Sequence, residues 1–417
     1  MAGAIFKCVI DFSNGSTFDP ALVLDDPSTP LGVGVFGDQA ADTLDVTQFV
    51  MRAQIRRAYN RTSDSFQTGS ATLRLIDETG LFNPSNTSSA LYGKILPMRK
   101  IRFIGTDTLN QEYALGSMYV QSWSYQSPTG FDPAYVDLSC VDGFQLLNLT
   151  TITSVTGGTA GQTTAQRITS ILDQASFPGG MRSISTTATT TVQADIGSSR
   201  SALAACQTVE QTDLGAFFMN QNGFATFKSR IDIITLSGGT ATAFSDSGLP
   251  GTITYQSVSF DLSDFGVVNS ATVTRTGGSP QSAADLASQT VYFDHSRIRS
   301  SIAQTDADAL NQARLIIASR KEVGADLRME NMVIDASDDS DPARVTAALE
   351  LDVFDPIEVT QVYTGGNAVS ATVITGVAYD VTPNSFRTTF TTAQPFAIGL
   401  VIGSQVDGKL GEDVFAY

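Results

Sequence analysis

A single histidine, His295 in Tyr292-Phe-Asp-His-Ser-Arg, has to carry any imidazole-dependent chemistry in this chain. A Ser–His–Asp mechanism needs its nucleophile and its orienting carboxylate on opposite sides of the ring. Asp294 and Ser296 are the immediate chain neighbours of His295, and adjacent residues on a strand cannot supply that geometry. A cysteine–histidine mechanism depends on the same residue, and a multi-histidine metal site is impossible. His295 reads as an ordinary residue at a strand end.

Carboxylates are plentiful, at 42 Asp and Glu, and a glycosidase needs only two at a suitable separation. The lone Trp123 and 9% aromatic content count against that reading, because sugar clefts lean on aromatic platforms. Asp335, Asp338, Asp339 and Asp341 place four carboxylates within seven residues. Two readings stand for them: a calcium loop, since hard cations take oxygen ligands, or a cap before a short helix over 342–349, with Asp341 and Pro342 at its start. The spacing lacks the sixth-position Gly and the twelfth-position Glu of an EF-hand. Gly238-Gly239 and Gly277-Gly278 do not follow the strand, glycine loop, helix order of a phosphate cradle. Cys8, Cys140 and Cys206 are odd in number and lack any Cys-x-x-Cys spacing, so reduced, buried thiols are expected rather than disulfides or zinc. No enzymatic activity, metal or cofactor is expected.

The formal charge of −17 over 417 residues argues against stable nucleic-acid binding, which needs a basic footprint. Charged residues make up only 16%, against about a quarter in an ordinary soluble domain, so neighbouring subunits are expected to cover part of the surface. The first residues show no charged leader before an apolar run. The apolar run 396–402 is far too short to span a bilayer, and no membrane anchor is expected.

The elements that hold these residues are mostly strands. Thr72, Arg74 and Ile76 alternate with Ala71, Leu73 and Leu75, the period of a half-buried strand. Thr79-Gly80 and Asn83-Pro84 supply turns. Further strands are expected over 6–12, 100–105, 118–125 with Tyr119 and Trp123, and 134–142. The Pro- and Gly-rich 25–37 reads as an excursion loop. Arg52, Arg56, Arg57 and Arg61 crowd ten residues of an acidic chain, either as a solvated edge with internal ion pairs or as a contact to an acidic neighbour.

Downstream of a Thr/Gly-rich crossing at 151–161, helices are expected over 163–175 and 200–210, with a hairpin turning at Asn222-Gly223. The run 235–251 is poor in core residues and reads as a second boundary. Strands are then expected over 253–260, 267–275, 291–294, 329–334, 357–362, 371–376 and 387–392. Between them a helix over 305–321 opens on Thr305 with Asp306 and Asp308 and closes with Arg320 and Lys321, matching the backbone dipole. Its buried stripe is expected at Leu310, Ala313, Ile316 and Ile317.

Several of these pieces together resemble a known pattern. The turn Asp77-x-x-Gly-x-Phe-x-Pro84, the stretch Leu91-Tyr-Gly-x-x-x-Pro97, the basic strand from Lys100, the strand with Gly116 and Trp123, and Cys140-Val-Asp-Gly-Phe-x-Leu-Leu147 are similar to the N-terminal barrel of siphophage minor tail proteins of the tail-hub family. The two helices and the hairpin 214–228 resemble that family's insert, and 267–275, 305–321 and 380–390 its second barrel. Phe386 stands where the closing motif often carries Trp. The resemblance implies a mainly β fold with minor α: a first β-barrel over 1–150, an α/β insert over 151–235, a second β-barrel over 236–394 and a C-terminal arm over 395–417. Core or barrel positions would include Leu73, Leu75, Tyr119, Trp123, Val267 and Val273.

The function implied is that of a structural tail-tip subunit: a homotrimer whose two barrels per chain imitate a six-membered ring. Its partners would be itself, the distal tail or tail-tube ring protein, and tail-tip, fibre or tape-measure proteins. The genome would pass through the channel without stable binding, and the chain would sit in the virion at the tail tip. Intersubunit contacts would draw on Arg52, Arg56, Arg57, Arg61, Arg99, Lys100 and Arg102. The competing reading is a cell-surface β protein that binds carbohydrate or a receptor.

Overall fold

The computed structural model describes residues 3–13, 42–60, 65–128, 133–261, 266–321, 328–338 and 340–393. Arg61, Asp339, the expected excursion loop 25–37 and the expected arm 395–417 lie outside them.

The expected alternation at 70–76 is observed. In the strand Ser70–Ile76, Ala71, Leu73 and Leu75 face the core while Ser70, Thr72 and Arg74 face out. This strand belongs to an antiparallel module in which the order is Val50–Asn60, Ser70–Ile76, Tyr135–Val141, Glu112–Gln126, Lys100–Thr106, Ile5–Asp11 and Thr43–Asp45. Leu73, Leu75 and Tyr119 are buried, and Trp123 is half-buried. The Trp123 indole N–H donates to the Leu96 carbonyl at 2.9 Å, so the one tryptophan ties the Leu91 to Pro97 stretch down onto the module.

A second module is built from Thr242–Ser245, Ile253–Thr254, Ser257–Asp261, Arg328–Asp335, Pro356–Tyr363, Gly366–Thr382 and Ser385–Ala393. The strand Gly366–Thr382 joins the two modules. Its residues 366–373 pair with Pro356–Tyr363, its residues 373–382 pair with Ser385–Ala393, and residues 376–381 pair with 53–58 of the first module. The two modules therefore share a single 15-stranded sheet. Among the described residues, pairing closes neither module into a barrel.

Two further layers surround this sheet. The first holds the helices Thr164–Gln174, Ala202–Asp213 and Arg230–Ser237 with the hairpin Ala216–Met219 and Ala225–Lys228. Its turn is set by Gly223 at φ 81° after Asn222. Its core runs into that of the sheet: Phe217 stacks on Phe144 at 5.4 Å and Phe218 meets Phe66 at 4.8 Å.

The second layer is a separate three-stranded sheet, with Ser270–Arg275 between Gln281–Ala284 and Ser296–Ser301. The helix Asp306–Arg320 covers one face through its own small core of Val268, Ala271, Val273, Ala309, Ala313, Ile316 and Ile317. Val267 and Val273 are buried here, off the 15-stranded sheet. Leu310 is only half-buried, and Ala309 and Gln312 take the inward positions, because the small Ala309 and Ala313 let the helix lie close to the strands.

Of the residues 291–294 expected as a strand, Val291 and Tyr292 instead end the helix Leu286–Tyr292, and Phe293 and Asp294 follow it outside any strand. The Asp285 carboxylate accepts the Ser288 N–H and starts that helix, a capping interaction that outweighs the β preference of Val291 and Tyr292. The expected strand 253–260 is broken into Ile253–Thr254 and Ser257–Asp261. The stretch 235–251 contains the strand Thr242–Ser245, whose Phe244 is fully buried.

Candidate assembly surfaces and the buried junction

The arginine-rich segment is positioned by the strand Val50–Asn60, which is interior to the sheet and paired on both sides. Arg52 forms a two-pronged ion pair with Asp380 across the seam, at 3.0 and 2.6 Å. It is solvent-exposed, where such pairs contribute little, about 0–1 kcal/mol. Arg57 differs: it is 5% exposed and meets Asp352 at 2.8 and 3.5 Å. Burial pulls its pKa down, but Asp352, Tyr379 and Asp142 outweigh that and keep it charged. Both residues thus use internal ion pairs, one of the two readings left open. Arg56 points to solvent.

Asp142, from the Cys140-Val-Asp-Gly-Phe motif, completes the junction. It is buried, and its carboxylate accepts the Gly69 N–H at 2.6 Å and the Phe144 N–H at 3.0 Å, opening the helix Phe144–Leu149. Burial lifts its pKa to about 7, against the pull of those two N–H groups and of Arg57. Glu210 is a second buried carboxyl, raised by burial, and accepts the Phe217 N–H at 2.9 Å. The motif gave the signal for Asp142, whereas Asp352, Tyr379 and Glu210 are joined to this region only by the tertiary fold.

Small residues set the approach of the two modules. A Cβ on Gly376 would stand 2.8 Å from the Ala58 Cβ across the seam, and one on Gly105 would stand 2.5 Å from a Leu349 methyl. Leu349 lies on the helix Pro342–Glu350, so that helix of the second module rests on a strand of the first.

The remaining expected contacts scatter. Arg99 is buried and donates to the carbonyls of Lys94 and Ser13. Lys100 and Arg102 are half-buried on the outward face of Lys100–Thr106, opposite Asp11 and Val9 of Ile5–Asp11. The six of these basic candidates that are described are thus spread over different strands and environments.

The groups with chemical potential are similarly spent. The His295 backbone is bracketed by Asn269, whose Oδ1 accepts the His295 N–H at 2.8 Å and whose N–H donates to the His295 carbonyl at 3.1 Å. Asp341 caps Pro342–Glu350 by accepting the Arg344 N–H, which is the capping alternative. Asp335 accepts from Ser337, and Asp338 accepts from Ser340 and Arg344. Among the described residues no group of three or more His, Cys, Asp or Glu is arranged to hold a metal ion. The three cysteines are free and buried, and burial raises Cys140 to about 12 and Cys8 and Cys206 upward as well, so the reactive thiolate is suppressed. No helix among the described residues is long and apolar enough to cross a membrane.

What the surface offers instead is apolar. Leu286, Val291, Phe293 and Ile298 are exposed on and beside the outer strand Ser296–Ser301, Phe293 at 84% and at φ 63°. Val362, Tyr363 and Val369 are exposed at the far end of the hairpin Pro356–Tyr363 and Gly366–Thr382. Exposed apolar groups of this kind mark contact surfaces more often than scattered single residues do.

No protein-family model matches the sequence, and no curated protein matches it. Solved structures do. The tail protein from Neisseria meningitidis MC58 matches with a TM-score of 0.58 at 10% identity, over 94% of this chain and 96% of that one. The 43 kDa tail protein of prophage MuSo2 from Shewanella oneidensis matches with a TM-score of 0.52 at 12% identity, over 85% and 96%. The chain has the fold of phage tail proteins. The sequence resemblance pointed to the same class.

Proposed function

We propose that this chain is a structural subunit of a phage tail tip. Three copies form a ring in which two β modules per chain alternate, so that six similar faces meet a six-fold tail ring. The observation that carries this reading is the pairing of two β modules along the Gly366–Thr382 strand. A rigidly joined pair holds its two modules at a fixed spacing, as alternating positions in a ring demand. The low charge content of 16% fits a surface largely covered in the assembly. A net charge of −17 lets DNA slide past without being held. The exposed Arg56, with Lys100 and Arg102, serves contacts to the distal tail ring and to tip, fibre or tape-measure proteins.

Cryo-electron microscopy of assembled tails tests this directly. Three copies of this chain around a channel, each giving two related densities, is the expected result. A monomer or fibre binding host glycans, or a ring of six copies, would refute it.

A further inference from the structure

Two buried groups at the seam are used only in part. Arg57 spends its terminal nitrogens on Asp352, yet its Nε–H is buried and has no acceptor among the described residues. Asp142 lies beside it. A Cβ on Gly69 would stand 2.7 Å from the Asp142 Oδ2 and 3.3 Å from the Arg57 Cγ, so the carboxyl and the arginine stem crowd the same glycine. Each oxygen of Asp142 accepts one backbone N–H, from Gly69 and from Phe144, and each keeps a second lone pair. A donor without an acceptor thus sits next to an acceptor with capacity to spare, in a core where leaving a donor unpaired is costly.

A proton decides whether the two can meet. The groups that face Asp142 are Arg57 from Val50–Asn60 and the Tyr119 hydroxyl from Glu112–Gln126, while the hairpin brings only Met219, against Gly143. Behind Arg57 stand Asp352, Tyr379 and Asp355, whose carboxylate accepts the Asp352 N–H at 2.8 Å. A neutral Asp142 exerts little pull on the guanidinium, which is then given wholly to Asp352. An ionised Asp142 competes for the same cation and can take its Nε–H in a charge-assisted hydrogen bond. We propose that the proton on Asp142 sets how firmly the two modules are tied: with the proton on, Arg57 holds Asp352 across the seam, and with it off, Arg57 turns to Asp142 within the first module. The backbone pairing of 53–58 with 376–381 remains in both states, so the stiffness of the seam is what changes. Burial lifts Asp142 to about 7, which makes the seam tight on the acid side of neutrality and slacker on the alkaline side. The inference concerns contacts within one chain and does not rest on the ring reading.

A double-mutant cycle isolates the tie. The coupling of Arg57 to Asp352 is measured on the full-length chain with Arg57→Met and Asp352→Asn, by urea unfolding at about pH 5.5 and about pH 8.5. It is expected to be about tenfold weaker, as an equilibrium constant, at the higher pH. In an Asp142→Asn background, where the side chain stays neutral, the full coupling is expected at both. An Asp142 that only props up the backbone would leave the coupling unchanged, because a fixed third charge does not alter the interaction of a pair. Nitrogen NMR of isotope-labelled arginine reads the same event in wild type alone: one slowly exchanging Nε–H resonance moves downfield with a midpoint of about 7, as the donor gains its acceptor.

Equal coupling at the two pH values overturns the inference. So does a coupling that still weakens in the Asp142→Asn background, which assigns the proton to Asp355, the other carboxyl here that burial raises. Should the cycle variants fail to fold, the NMR titration decides, and an Nε–H that does not move across that range overturns the inference as well. The number of copies in assembled tails bears on the ring reading alone.

Discussion

Arg57 concentrates the electrostatic stakes of the molecule in one side chain. Its partner Asp352 lies just past the helix of the second module, while Arg57 itself belongs to the first module's Val50–Asn60 strand. Removing one member of a buried ion pair leaves the other uncompensated and costs about 3–5 kcal/mol. Arg57→Ala is therefore expected to lower unfolding free energy by that order in urea titrations. Arg52→Ala, at the exposed pair with Asp380, should change it by less than about 1 kcal/mol. Equal effects of the two would show that burial does not govern this seam.

Asp142 carries a pH signature. Its folded-state pKa of about 7 lies above the unfolded value of about 3.9, so between those values the folded state binds more protons than the unfolded one. Its contribution to stability is full below about pH 4 and declines as the pH rises to about 7, then stays level. Asp142→Asn cannot titrate. The difference in urea midpoint between wild type and Asp142→Asn, followed from pH 4 to 8, should shift in favour of the variant with rising pH. A constant difference across that range would contradict the assignment.

At the scale of elements, caps and close approaches decide what forms. Thr305 and Asp308 cap the helix Asp306–Arg320 reciprocally: the Thr305 hydroxyl accepts the Asp308 N–H, and the Asp308 carboxylate accepts the Thr305 N–H. Thr305→Ala is expected to cost about 1 kcal/mol, read as faster amide exchange within this helix. Gly376→Val would push into Ala58 and cost about 1–3 kcal/mol by overpacking. Ala58→Gly in the same chain should recover much of that loss in melting temperature, whereas no recovery would place the strain elsewhere.

These elements also show where sequence stops being informative. Ser70–Ile76, Thr164–Gln174, Asp306–Arg320 and the Asn222-Gly223 turn were legible because period, cap and turn residue agree locally. The helix Leu286–Tyr292 was not, since Val291 and Tyr292 favour strands and only Asp285 argues otherwise. Pairing between Val50–Asn60 and Gly366–Thr382 leaves no local trace at all, so two separate barrels were the natural expectation. The Arg57 junction was half visible: Arg57 and Asp142 were each singled out, but the meeting of Arg57 with Asp352 and Tyr379 of the second module depends on that distant pairing.

At the scale of the whole molecule, the described chain has two cores of unequal size. One runs through both β modules and the α/β layer, and the other holds only the few residues between Ser270–Arg275 and Asp306–Arg320. A small core opens at lower free energy than a large one. Native-state hydrogen exchange should therefore find Ala271 and Val273 less protected than Leu73 and Val377. Uniform protection would mean that the small sheet unfolds only with the rest.

The seam joins residues 328 positions apart, as the Arg52 to Asp380 pair records. During synthesis at roughly 5–20 residues per second, the Val50–Asn60 strand waits about 15–65 s before its partner is made. Throughout that interval one flank of the strand is a bare template, and nearby ribosomes on the same message offer identical ones. Shielding nascent chains from one another is thus a translational burden written into this topology.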